Sequence, residues 1–152
     1  MFNCINNYLS LVELWHENAK LNPPDNELCK LMIEQHYTNY LMWHEEDKAR
    51  IKDAEDSEIA NVKRTIDRLN QRRNDLIDKI DVYLFHQLNQ FDIQKDLPFN
   101  SETIGSICDK LSILAIRIYH MDIEIKRIEA GIDHCNRCHE KCLILKKQYD
   151  DS

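Results

Sequence analysis

Residues 101–142, SETIGSICDKLSILAIRIYHMDIEIKRIEAGIDHCNRCHEKC, decide the fold class. Ile104, Ile107, Leu111, Leu114, Ile118, Met121, Ile125, Ile128, Ile132 and Cys135 recur there at steps of three and four, and Cys142 continues the series. That interval returns side chains to one side of an α-helix, whereas a strand repeats every second residue, so the stretch reads as an amphipathic helix. The apolar seam passes unbroken through Gly131. One long helix over about 101–149, with Gly131 as the place for a bend, is favoured over two separate helices, and at ~1.5 Å per residue it would approach ~65 Å.

The same rhythm extends upstream. Ile59, Val62, Ile66, Leu69, Leu76, Ile80 and Tyr83 mark a helix over about 57–91, with Arg73 filling one slot of the apolar stripe. Leu28, Leu31, Met32, Tyr40 and Leu41 belong to a helix over about 25–53, and Ile5, Tyr8, Leu9, Val12 and Trp15 to one over about 3–20. Asn22-Pro23-Pro24-Asp25-Asn26 ends the first helix and offers caps to the second. The acidic run Asp53 to Glu58 reads as a short connection and a helix N-terminus, where the macrodipole favours negative charge. Asp92 to Asn100, with Pro98, reads as a loop. Four helices with short links predict an all-α, up-and-down bundle forming a single domain over 1–152, its last two helices long and coiled-coil-like. The first helix is too short to cover the last, so part of that seam needs a partner, and a homodimer is expected.

Composition agrees. The 152 residues include only two Gly and three Pro, with 31% charged and 43% hydrophobic residues, which suits amphipathic helices better than sheet. The net charge of −7 repels nucleic-acid phosphates and anionic lipid, which argues against a nucleic-acid partner. The opening Met1-Phe2-Asn3-Cys4-Ile5-Asn6-Asn7 lacks a cationic segment followed by an apolar one, and no apolar run is long enough to span a bilayer. No membrane association and a cytoplasmic location are expected; a host cytosol after specialised secretion would give the same sequence signature. In such a compartment the six cysteines are expected to be reduced.

Several residues ask for more than packing. In the last helix Arg117, His120, Glu124, Arg127, Gly131, His134, Cys138 and Lys141 form a polar stripe parallel to the seam. Lys63, Asp67, Asn70, Asn74 and Asp81 form another in the helix before it. Either stripe could be a solvated flank of i,i+3 and i,i+4 pairs. Asn70 and Asn74, however, are poor helix-interior residues placed one turn apart. Arg73, in the apolar stripe, needs a carboxylate from another helix, in a structural pair or a ligand site. His44 and Asp47, three apart, could ligate a metal or act as an acid/base pair, with Arg50 a turn further on. The group His134, Cys135, Cys138, His139 and Cys142 suggests zinc only weakly, since one helix offers two or three ligands and Cys135 and Cys142 continue the apolar seam. A Gly-rich phosphate loop, a G-x-S-x-G elbow and the paired Glu-x-x-His of di-iron bundles are absent from the sequence.

Strings in the same order give a resemblance. Trp43-His44, Glu46-Asp47, Ala49-Arg50, Lys63, Ile66-Asp67, Leu69-Asn70-Gln71, Arg73-Asn74-Asp75, Ile80-Asp81, Asn100, Glu102-Thr103, Gly105-Ser106, Asp109 to Met121, Arg127, Ala130, His134, Cys138 and Lys141 are similar to a bacterial family known only as a domain of unknown function, DUF4254. The similarity runs from about Leu41 to the end. It implies an all-helical fold and brings no established reaction.

The leading expectation is a helical bundle that binds, and turns over if it is an enzyme, a small polar or anionic ligand. His44, Asp47, His120 and His134 are the candidate acid/base or metal groups. Arg73, Arg117 and Arg127 would hold negative charge, and Arg50, Asp67, Asn70 and Asn74 would complete ligand binding. The metal and cofactor are left open. Alternatives are a non-enzymatic module that docks a protein partner through the long last helix, and a HEPN-type ribonuclease, whose Arg-to-His spacing Arg127 and His134 fit loosely, with Ile128 where such enzymes carry a polar residue.

Overall fold

The computed structural model describes residues 7–19, 21, 24–51, 55–89 and 101–151. Among the described residues the chain forms five α-helices and no strand: α1 (Tyr8–His16), α2 (Glu27–Ala49), α3 (Asp56–Leu88), α4 (Ile104–Lys126) and α5 (Ile132–Asp150), with a 3-10 turn at Ile128–Ala130. The all-helical class expected from the periodicity is correct. The expectations for residues 3–6, Asn22-Pro23, 52–54 and the loop 92–100 concern positions outside the described residues. Packing divides the chain into a central unit, Pro24–Asp109, and a terminal unit made of Met1–Pro23 and Lys110–Ser152.

In the central unit, Asn26 caps α2 by accepting the Cys29 N–H at 3.0 Å. The acidic run does the same for α3 through a reciprocal capping box between Glu55 and Glu58. The two helices pack together, and Leu28, Met32, Leu76 and Ile80 are buried. The first turn of α4 is held by Asp81, whose carboxylate accepts the Gly105 N–H at 2.7 Å. Only glycine fits there: a Cβ on residue 105 would stand 2.7 Å from the Ile77 carbonyl oxygen and 2.9 Å from the Asp81 carboxylate. Asp81, assigned by periodicity to a polar stripe, is thus a helix cap.

In the terminal unit α1 buries Tyr8, Leu11 and Val12. Ile118, Cys142 and Leu145 form a core cluster, with Leu9, Leu114, Met121, Ile125 and Tyr149 packed against it. The expected continuous last helix is replaced by a hairpin. α4 ends at Lys126, the 3-10 turn follows, and Gly131 takes φ +91°, a value that residues with a Cβ rarely adopt. Asp122 then accepts from the Cys142 thiol at 3.2 Å and from Lys146 Nζ at 3.2 Å. In a straight helix residues 122 and 142 would be ~30 Å apart. The seam positions at the turn face outward, Ile128 being 81% and Ile132 78% exposed. A ~65 Å helix is absent, and the length argument for a homodimer goes with it.

One cysteine departs from expectation. Cys29 is disulfide-bonded, whereas Cys108, Cys135, Cys138 and Cys142 are free. The expectation of reduced thiols weighed compartment, and carried no information on which sulfurs the fold brings within bonding distance. Among the described residues no helix is long and apolar enough to cross a membrane.

Candidate functional site

The charged group in the apolar stripe of α3 is answered within the central unit. Arg73 forks onto Asp109: Nε donates to Oδ1 at 2.8 Å and Nη2 to Oδ2. Oδ1 also accepts from Gln35 Nε2, and from Asn39 Nδ2 at 2.9 Å. The hydrogen bond to Asp109 holds the Arg73 pKa above its ordinary value, partly opposed by burial and reinforced by the charge of Asp109. Asp109, at 6% side-chain exposure, is a buried carboxylate served by four donors, and the arginine face turned toward it is committed to the fold.

Of the other central-unit candidates, Asp47, Arg50 and Asp67 pair with neighbours in their own stretch of chain. His44 is half-buried, edge-on to Tyr40 at 4.5 Å between centroids. Asp47 pairs with Arg50 at 2.9 Å, and Arg50 also approaches Glu46 at 3.5 Å. Asp67 faces Lys63 at 3.8 Å. Asn70 and Asn74 are exposed, on a helix whose neighbouring polar groups pair at one-turn spacing, as in Arg64 to Asn61 at 2.9 Å and Gln71 to Asp75 at 2.9 Å.

The terminal unit gathers the rest into three places. At the hairpin turn, Glu124 receives Arg127 Nη1 at 2.8 Å and meets His134 Nε2 at 2.8 Å. The buried Cys138 thiol lies 3.4 Å from the same His134 nitrogen. Arg127 and His134 thus share a carboxylate, but Gly131 and the 3-10 turn separate them, so the HEPN-like spacing does not fall on one helix. Near the end of α1, His16 stacks on Tyr119 at 4.6 Å and stands edge-on to His120 at 5.3 Å. Burial raises the Tyr119 phenol above its ordinary pKa, and the charges of Glu13 and Glu17 add to the shift. Third, a cavity of about 460 Å³ is lined by Lys110, Ile113, Leu114 and Arg117 from α4 and by Gln148 and Asp151.

The family described as Protein of unknown function (DUF4254) matches residues 29–152. The chain belongs to this family. Neither a curated protein nor a solved structure matches it. The match extends the resemblance upstream to Cys29 and takes in α2 to α5, so the Arg73–Asp109 clamp, the hairpin and the α4–α5 cavity are parts of the DUF4254 region, while α1 precedes it.

Periodicity missed several groups in this DUF4254 chain. Asp109, Gln35 and Asn39 left one indirect trace, the arginine in an apolar slot that demanded a carboxylate. Lys110 and Gln148 line the cavity from positions that no motif marks. His16 and Tyr119 meet only because α1 and α4 pack, which no local pattern encodes. Of the cysteine-rich group, Cys142 packs in the core and donates to Asp122, His139 is exposed, and Cys138 lies against His134.

Proposed function

We propose that this DUF4254 chain binds a small ligand carrying negative charge on an apolar body, in the cavity between α4 and α5. The observation that carries the reading is Arg117. Its guanidinium is exposed, and no ion pair to it occurs among the described residues. It stands on a cavity wall that it shares with Lys110, Ile113 and Leu114. The volume of about 460 Å³ falls within the ~300–1,000 Å³ typical of small-molecule sites, and apolar walls with a few polar groups are the usual composition. In this reading Arg117 grips a carboxylate or phosphate through its planar fork and Lys110 adds a second positive charge, the two outweighing the single negative charge of Asp151 on the same lining. His120, one turn beyond Arg117 on α4, is the group offered for proton transfer if the ligand is turned over.

The test is a thermal-shift panel of octanoate, benzoate and phenyl phosphate beside the neutral octanol and benzyl alcohol. Anions are expected to raise the melting temperature of the wild type and to lose that effect with Arg117→Ala. Equal responses to neutral and anionic probes, or an unchanged response in the variant, would overturn the reading.

A second reading, a protein-interaction module, draws on the exposed apolar residues of the hairpin: Ile123 at 44%, Ile128 at 81%, Ile132 at 78%, Leu143 at 56% and Ile144 at 59%. A second copy of the chain is one occupant that would bury them. Sedimentation should then give a dimer that Ile128→Ser/Ile132→Ser converts to monomer; a monomeric wild type at micromolar concentration would refute self-association.

A further inference from the structure

We infer that His16 and His120 hold a divalent first-row transition ion of the zinc class through their imidazole nitrogens. The two residues belong to one unit of the fold, at the end of α1 and in the last two turns of α4. Each offers a ring nitrogen within 4.8 Å of the other's. Two nitrogens bound at ~2.0–2.1 Å to one tetrahedral ion lie about 3.4 Å apart, so a small rotation about the side-chain torsions closes the pair onto a metal. The rings are inclined at 78°, so they are not stacked face to face, an arrangement that would direct their nitrogens away from a common point.

The surroundings favour a cation. His16 is stacked at an interplanar angle of 16° on Tyr119, which fixes the ring and lowers the entropy lost when a metal binds. Glu13 and Glu17 both place negative charge near that phenol. Both histidines are half-buried and their Nε2 atoms are shielded from solvent, so the ion would have to bring its own waters to complete its coordination. Imidazole donors with water select zinc, cobalt, nickel or copper over magnesium or calcium, which prefer oxygen.

Chelator-stripped full-length protein titrated with Co²⁺ should develop visible d–d absorption, and competition with Zn²⁺ should abolish it. His16→Ala and His120→Ala should each weaken binding at least tenfold, and so should the less disruptive His16→Gln and His120→Gln, whose helical circular dichroism is checked first. His134→Ala and Cys138→Ser, which remove the histidine–sulfur contact at the hairpin turn, should leave the spectrum unchanged. No cobalt spectrum in the wild type, a spectrum indifferent to both His16 and His120 substitutions, or a thiolate-to-cobalt charge-transfer band lost with Cys138→Ser would overturn the assignment.

Discussion

Asp109→Ala is expected to be among the most damaging single substitutions in the central unit. The carboxylate is 6% exposed and receives both Arg73 donors and the side-chain amides of Gln35 and Asn39. Removing it strands a guanidinium that is itself only 25% exposed. Deleting one partner of a buried ion pair typically destabilises by ~3–5 kcal/mol. The two amides left without an acceptor would each add about 1–3 kcal/mol in isolation, but they share one network and so do not add in full. A total near ~4 kcal/mol corresponds to a melting-temperature loss on the order of 10 °C for a chain of this length. Urea denaturation of wild type, Asp109→Ala, Arg73→Met and the double variant Arg73→Met/Asp109→Leu measures it. Both single variants should be strongly destabilised, and the double variant should recover much of the loss because no charge is then left buried. A loss below ~1 kcal/mol for Asp109→Ala, or a double variant worse than either single, would refute the clamp.

Gly105→Ala should destabilise by about 1–3 kcal/mol, because its methyl meets the Ile77 carbonyl and the Asp81 carboxylate; chemical denaturation reads the change. Gly131→Ala has open space around the added methyl, so its expected loss of about 1 kcal/mol comes from the φ of +91° alone. Arg73→Met should leave that turn untouched, so its effect and that of Gly131→Ala should be additive in the same assay. Burial, with the nearby charges of Asp81 and Asp109, raises the Cys108 thiol from 9.0 to about 11. At pH 8 only about one Cys108 in a thousand is then thiolate, so maleimide should label the half-buried Cys135 before Cys108, as peptide mass mapping will show. The folded state holds that proton more tightly than the unfolded one. Its contribution to stability is therefore complete below pH 9 and lost as pH rises through about 11. Cys108→Ala should flatten the alkaline limb of the stability curve.

Helical periodicity reads a one-dimensional pattern, and what it found and missed follows from that. The seam in α3 and α4 located the helices because burial repeats with the backbone turn, and the caps at Asn26 and Glu55 were visible because they are local chemistry. The break at Gly131 was hidden by apolar residues that kept the rhythm while facing solvent: Ile128 and Ile132 look like seam and behave as surface. One glycine with positive φ turned a long helix into a hairpin, and with it moved His134 beside Glu124 and opened the wall on which Arg117 stands. Arg73 announced a missing carboxylate but not its address, because Asp109 lies 36 residues away and meets it through packing. The polar stripe of α3 ran the other way: Lys63 and Asp67 pair along the helix, and Asp81 caps the next one.

The function proposed for this chain turns on anion binding in the α4–α5 cavity. ¹⁵N-resolved NMR titration of the full chain with octanoate tests it directly, because it reports where a ligand sits as well as whether it binds. Saturable shifts confined to Ile113, Leu114, Arg117 and Gln148, present in the wild type and lost in Arg117→Ala, are the predicted result. Shifts scattered over the surface, or a localised set that survives loss of Arg117, would contradict it.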